Sequence, residues 1–451
     1  MFKKILIANR GEIAVRIIRA CNEMGIQTVA IYSQADKKAL HVQLADESYC
    51  IGGPYLKDSY LNMSAIIIAA VNTGCEAIHP GYGLLSENPQ FAELCEKCNI
   101  KFIGPHYSII TKMGDKDEAR RTMQKAGVPV VPGMDEIVDI AEAKAFAKKI
   151  GFPVIVKASA GGGGRGIRIV QTENEFEQAV LTAKMEAQNA FGNDKVYVEK
   201  YLTDVKHVEM QILADEHGNV VVLGERDCSM QRKNQKIIEE SPCKFLKEET
   251  RQKMIDATIL AAKYVGYTNA GTIEYLLDKD NNFYFMEMNT RLQVEHPVTE
   301  CVTEIDLVKW QIRIASGQPF IYKQKDICFR GAAIECRINA EDATKDFKPN
   351  CGKIKLLHIP GGAWVRFDSA IYQGYEIPPF YDSMIGKLIV YARDREEAIR
   401  KMKSALSELK TEGIVTNVEF SATLLAQKEF EDGSYCTNFL EKFLKGQAAT
   451  K

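Results

Sequence analysis

Between Glu287 and Glu295 the chain places two carboxylates, the Asn289 amide and the Arg291 guanidinium within nine residues. An arginine fork beside carboxylates and an amide suits the handling of small anions next to a hard divalent cation. The first of these residues lie in Phe283-Tyr-Phe-Met-Glu-Met-Asn289. Its alternation reads as a strand with Phe283, Phe285, Glu287 and Asn289 on one face and Tyr284, Met286 and Met288 on the other. Upstream, Thr272-Ile-Glu-Tyr-Leu-Leu-Asp278 reads as a second strand, and Lys279-Asp-Asn-Asn282 as the four-residue loop of a hairpin. Pairing Asp278 with Phe283 sets Glu274 opposite Glu287. Carboxylates directly across a ladder repel one another. For the two acids alone, a solvated hairpin face with a lysine neighbour would relieve the repulsion, but the Arg291 to Glu295 segment favours a bound cation. Glu274, Glu287 and Asn289 would supply hard oxygen ligands for Mg²⁺ or Mn²⁺, leaving places for water and substrate phosphates.

A second chemical signal is Phe152-Pro-Val-Ile-Val-Lys157 followed by Gly161 to Gly164, Gly166 and the apolar run Ile167 to Val170. It reads as two strands joined by a glycine-rich lid. Glycine lets backbone N–H groups approach phosphate oxygens without Cβ clashes, and Lys157 adds a point charge. The G-x-x-x-x-G-K-[ST] spacing is absent and no helix follows, which excludes a P-loop.

The elements that must position these groups divide the chain into three. Up to about residue 113, strands and helices alternate: Lys4 to Ala8, a helix over Ile13 to Met24, Thr28 to Tyr32, a helix over Leu61 to Asn72, then Ala77 to His79. This is a doubly wound α/β pattern. Its first turn, Asn9-Arg10-Gly11-Glu12, lacks the G-x-G-x-x-G of dinucleotide folds. Gly127-Val-Pro-Val-Val-Pro-Gly133 is a breaker cluster expected to hinge into the lid. From about residue 320 come strands near Ala332 to Ile338, Gly352 to His358 and Lys387 to Tyr391, a helix over Arg395 to Leu409, and a shorter closing helix.

Composition narrows the function. With 451 residues, 46% hydrophobic and 26% charged, the chain can bury a large core. A formal charge of −2 gives no basic field for nucleic acid, and no run of about 18 apolar residues suggests a membrane span. Met1 leads almost at once into the first strand, leaving no room for a signal peptide, so a cytoplasmic protein is expected. The 12 cysteines then read as reduced thiols. Cys95-Glu-Lys-Cys98 lies in a helical pattern with no second close Cys or His pair to complete a zinc site. Cys228 reads as a core thiol.

The glycine-rich hairpin with Lys157, the Glu274 and Glu287 pair and Asn289 resemble the ATP-grasp fold. Ile7-Ala-Asn-Arg-Gly-Glu-Ile13, His79-Pro-Gly-Tyr-Gly83, Met113-Gly-Asp-Lys116, Glu225-Arg-Asp-Cys-Ser-Met-Gln231, Met288-Asn-Thr-Arg-Leu-Gln-Val-Glu-His-Pro297 and Glu335-Cys-Arg-Ile-Asn-Ala-Glu-Asp342 together resemble the biotin carboxylase family nearly end to end. The resemblance implies a mixed α/β and α+β architecture. Its parts would be a doubly wound pre-ATP-grasp domain over 1–113, an ATP-grasp domain over 114–320 with a lid at about 131–203, and a mixed α+β C-terminal domain over 321–451.

By the same resemblance, Lys116, Lys157, Gly163 and Gly164 meet ATP phosphates, and Glu199, Lys200 and Leu202 edge the adenine. His207, Gln231, Glu274 and Glu287 complete the nucleotide site, and Glu274, Glu287 and Asn289 hold two Mg²⁺ or Mn²⁺ ions. Lys236, Arg291, Gln293, the Val294 backbone and Glu295 match the family's bicarbonate site. Glu295 matches the base that deprotonates bicarbonate for attack on the γ-phosphate, giving carboxyphosphate. Its setting beside cations makes its role depend on geometry more than on a raised pKa. Arg337 matches the residue that stabilises the biotin enolate, and Tyr82 is expected to pack on the biotin ring, a turn role being its alternative. One departure stands out: the family carries histidine two residues before Lys236, where this chain has Asn234. Asparagine donates and accepts hydrogen bonds but cannot become cationic, so a modest effect on nucleotide affinity is expected.

No lysine flanked by methionines marks a biotin attachment site, so biotin is expected to arrive on a separate biotin carboxyl carrier protein, with carboxyltransferase subunits as further partners. The family also implies a homodimer. Acetyl-CoA carboxylase is the expected assembly, with a two-subunit pyruvate carboxylase as the alternative. A different ATP-grasp ligase joining an acid to an amine would keep the lid and metal pair without needing Arg291, Glu295 and Arg337.

Overall fold

The computed structural model describes residues 1–158 and 167–449. Gly163 and Gly164, expected at the lid tip, lie outside the described residues. The N-terminal region forms a five-stranded parallel sheet in the order Glu47–Gly52, Gln27–Ser33, Lys4–Ile7, Ala77–His79, Lys101–Phe102. The first helix, Gly11–Glu23, buries Ile13, Ile17, Ile18 and Cys21 against this sheet and against the helix Leu307–Ala315. It begins before the expected Ile13 because Gly11, at φ +66°, turns the chain out of the first strand. The helix Met63–Asn72 likewise begins after the expected Leu61, where the Asn62 side chain accepts a hydrogen bond from Ala65 N–H and caps it.

The second sheet has eight strands and carries the cleft. Its order is Phe283–Asn289, Asn269–Leu277, Lys206–Ala214, Val220–Arg232, Gln235–Ser241, Ala332–Asn339, Met384–Ala392, Val365–Ser369. The last three belong to the C-terminal region, so its strands extend this sheet. Lys206–Ala214 is buried along its whole length. Val208, Met210 and Ile212 face a core shared with the helix Glu248–Val265, and the alternate residues His207, Glu209 and Gln211 present a buried polar face.

The hairpin follows a different register from the expected one. Leu277, not Asp278, pairs with Phe283, and a β-bulge between Glu274/Tyr275 and their partners then restores Glu274 opposite Glu287. The bulge also divides the expected face. Phe283, Phe285 and Met288 point into the core, whereas Met286, Glu287 and Asn289 line the cleft.

The lid region forms its own four-stranded antiparallel sheet, ordered Gly133–Met134, Val196–Lys200, Val154–Ala158, Ile167–Val170, backed by the helices Ile140–Ile150 and Phe176–Phe191. Just before it, Pro129 accepts a hydrogen bond from Phe285 N–H and Val130 bridges Phe285, so the breaker cluster is where the chain leaves the large sheet for the small one. Where one closing helix was expected, three follow Arg395–Glu408: Val418–Leu425, Lys428–Asp432 and Phe439–Ala449. Among the described residues no helix is long and apolar enough to cross a membrane.

Candidate active site

A cleft of about 660 Å³ lies over the polar face of the large sheet. Its lining includes Lys116, Leu202, His207, Gln231, Asn234, Lys236, Glu274, Glu287, Asn289, Arg291, Gln293, Val294, Glu295 and Arg337. Residues far apart in sequence meet here because six adjacent strands and the loop after Asn289 each contribute. Lys116 opens the helix Lys116–Lys125, which Asp115 caps by accepting from Glu118 N–H at 2.8 Å.

Lys236 stands at the centre. Its ammonium donates to Glu209 at 2.6 Å, Glu295 at 2.6 Å and Glu274 at 3.1 Å. Burial alone would lower its pKa, but the acidic groups around it hold it well above the ordinary lysine value. Glu295 is also paired to Arg337 at 2.9 Å. Burial pushes the Glu295 carboxyl up, yet Lys236, Arg337 and Arg226 pull it well below the usual carboxylate range. It stays ionised.

Glu274 and Glu287 share the pair's repulsion unequally. Glu274 accepts from Lys236, from Asn289 at 2.8 Å and from Gln293 at 2.6 Å, and lies 2.8 Å from His207 Nε2. Despite burial it is held well below the ordinary value by Lys236 and His207. Glu287 makes no hydrogen bond or ion pair among the described residues, and burial together with Glu274 raises its pKa. An unpartnered carboxylate facing an ionised one, with the Asn289 amide beside them, fits a divalent cation. Bound there, the cation would neutralise phosphate charge.

Arg291 is aimed from the N-terminal region. Glu87 accepts from Arg291 Nε at 2.8 Å and from Thr290 N–H at 2.9 Å, and Asn289 Oδ1 accepts from the same guanidinium at 3.0 Å. Beneath the cleft floor, the fully buried Arg226 donates to Glu209 at 2.5 Å, Gln211 at 2.7 Å, Gln293 at 2.7 Å, Thr299 at 2.9 Å and Thr272 at 3.1 Å. Arg226→Met would leave Glu209 with Lys236 alone and take the arginine donor from the Gln211 and Gln293 amide oxygens, and we expect it to cost about 3–5 kcal/mol of stability. A urea-unfolding midpoint measures this, and a loss below about 1 kcal/mol would contradict the assigned network.

Not every expected residue lines the cleft. Lys157 reaches Glu199 at 2.7 Å, Lys200 is spent on the Gly151 and Phe152 carbonyls, and Tyr82 stands behind the cleft with its hydroxyl donating to Glu12. Asn234 does line it, for a backbone reason. Lys233 and Asn234, at φ +48° and +64°, form the two-residue turn between Arg232 and Gln235, a conformation that asparagine tolerates better than most residues. Glu87, Arg226, Glu239 and Lys387 also serve the site, and no motif spacing marks their roles. The buried alternation around Glu225-Arg-Asp227, charged on both faces of one strand, was the available sign of a polar core.

The fold and cleft together define an ATP-grasp enzyme. Residues 115–322 match the family described as carbamoyl-phosphate synthase L chain, ATP binding domain. Residues 1–110 match biotin carboxylase, N-terminal domain, and residues 335–442 match biotin carboxylase C-terminal domain. Biotin carboxylase 1 of Bacillus subtilis is 57% identical over 445 residues, 98% of this chain and 99% of that one. A pyruvate carboxylase subunit of Methanothermobacter thermautotrophicus is 53% identical over 99% of this chain and 91% of its own. Among solved structures, the biotin carboxylase domain dimer of Hydrogenobacter thermophilus 2-oxoglutarate carboxylase, in complex with MgADP, ADP and bicarbonate, superposes with a TM-score of 0.90 at 51% identity over 98% of each chain. The chain belongs to the biotin carboxylase family and is a ligase-type carboxylase.

Proposed function

We propose that the chain carboxylates biotin presented on a separate carrier protein, using ATP and bicarbonate, and that it serves an acetyl-CoA carboxylase. The observation that carries the catalytic reading is the union, in one cleft, of the facing Glu274 and Glu287 with Lys236, Arg291, Gln293, Glu295 and Arg337. Lys116 and His207 line the nucleotide end, and Lys157 and Lys200 approach ATP from the small antiparallel sheet. Glu274, Glu287 and Asn289 would hold Mg²⁺ or Mn²⁺, which would neutralise phosphate charge. Arg291, Lys236, Gln293 and the Val294 N–H hold bicarbonate, whose proton passes to Glu295 as its oxygen attacks the γ-phosphate and displaces ADP, giving carboxyphosphate. Carboxyphosphate breaks down to CO₂ and phosphate, the phosphate takes the biotin ureido N–H proton, and Arg337 steadies the ureido oxygen while that nitrogen takes up CO₂. In this reading ATP-grasp chemistry is mostly positioning and charge neutralisation, which the cleft supplies with side chains already paired.

The assembly reading extends to a homodimer in the cytoplasm, working with a biotin carboxyl carrier protein and carboxyltransferase subunits. A pyruvate-linked role is the second reading, favoured by the 53% identity to a pyruvate carboxylase component. Reconstitution with each type of carrier and carboxyltransferase decides between them. Formation of malonyl-CoA and not oxaloacetate is the expected outcome, and the reverse would overturn the acetyl-CoA assignment.

A further inference from the structure

The peptide segment Gln293-Val294-Glu295 is gripped from behind by two buried side chains that come from outside the cleft. Lys387, 0% exposed, donates from Nζ to the Val294 carbonyl at 2.7 Å. His296, also 0% exposed, lies with Nδ1 2.8 Å from the Gln293 carbonyl. A carbonyl can only accept, so His296 carries its proton on Nδ1. Burial depresses its pKa, keeping the ring neutral.

In a trans peptide the C=O and the next N–H point in opposite directions. Drawing the Gln293 carbonyl back towards His296 therefore turns the Val294 N–H away from the interior, and drawing the Val294 carbonyl towards Lys387 does the same for Glu295 N–H. Neither N–H is engaged in a hydrogen bond among the described residues. Val294 lines the cleft beside Arg291 and Lys236.

Lys387 is itself held by groups from two regions. Glu12, in the first turn of the N-terminal helix, lies 3.2 Å from its ammonium, and the Tyr82 ring centroid is 5.9 Å away. Both carboxyl oxygens of the fully buried Glu335 lack a partner among the described residues, and burial pushes its pKa well above the usual carboxylate range against the pull of Lys387. The N-terminal helix, the C-terminal strand Met384–Ala392 and the anion segment thus meet at one ammonium.

We propose that Lys387 and His296 are positioning residues that pre-set the backbone N–H groups of Val294 and Glu295 as anion donors, so that bicarbonate affinity depends on two side chains that never touch it. This rests on the reading of Arg291 to Glu295 as the bicarbonate site. Three measurements test it in the full chain.

Lys387→Met is made together with Glu12→Gln, which removes the carboxylate paired with the ammonium, and His296→Leu is made alone. Each is expected to raise the apparent KM for bicarbonate about tenfold, with the KM for ATP changed less than about twofold. Lys387→Arg, retaining a cationic donor, should recover most of the loss. In the wild type, amide exchange of the peptide spanning residues 292 to 298 should slow when bicarbonate is added with ADP, a result that needs no variant to fold. Folded variants with unchanged bicarbonate KM, parallel rises in both KM values, or no slowing of exchange would each overturn the proposal. Bicarbonate-independent turnover by the wild type would instead overturn the underlying site reading.

Discussion

Arg337→Ala is expected to lower carboxyl transfer to biotin by about 10²–10³, the usual effect of deleting one donor aimed at a developing oxyanion, while the KM for ATP moves less than about threefold. The geometry makes the separation possible. Arg337 lies at the end of the cleft away from Lys116, donating from Nε to Glu239 at 2.6 Å and pairing through its terminal nitrogen with Glu295 at 2.9 Å. Loss of a largely covered arginine would ordinarily destabilise a protein strongly by stranding its partners. Here burial already lifts Glu239 to about 7, against the pull of Arg337, so without the guanidinium this carboxyl takes up a proton and needs no counter-charge. Glu295 keeps Lys236. The variant should therefore fold, and biotin carboxylation within tenfold of wild type would contradict the role assigned to Arg337.

Glu287→Gln should separate activity from stability in the opposite sense. The raised pKa of Glu287 means that the folded state disfavours its charged form, so at pH values above that folded pKa the ionised carboxylate costs stability. Glutamine removes that cost, and the metal-free Tm of the variant should equal or exceed that of wild type. Mg²⁺, binding the folded state, should raise the wild-type Tm by linkage and leave the variant nearly unmoved. Turnover of ATP should fall by about 10²–10³, since charge neutralisation on the phosphates is most of the chemistry. Equal Mg²⁺-induced shifts in both proteins would contradict placement of the ion between Glu274 and Glu287.

Much of this site was legible because its chemistry is local. Glu274 facing Glu287 follows from period-two alternation and a short loop, and the facing pair survives although the register near the loop differs by one residue. The bulge that restores it has no glycine or proline to announce it, and so the split of Phe285 from Glu287 onto different faces went unread. The groups that aim Arg291 and carry Arg337 and Val294 were invisible for another reason. Glu87, Glu239 and Lys387 are 204, 98 and 93 residues away from the groups they hold, and a lone charged residue in a turn or a strand carries no sign of what it will meet. The same long range conceals the joining of Ala332–Asn339 to Gln235–Ser241, which makes one eight-stranded sheet out of two sequence regions.

One cleft is expected to activate bicarbonate with ATP and deliver it to biotin. Transfer of label from bicarbonate to biotin by the purified chain with MgATP tests it most directly. The account predicts acid-labile labelled carboxybiotin, on free biotin or on a biotinylated carrier protein, formed with ADP in equal amount and absent without ATP. Bicarbonate-stimulated ATP hydrolysis with no label reaching either form of biotin would contradict it.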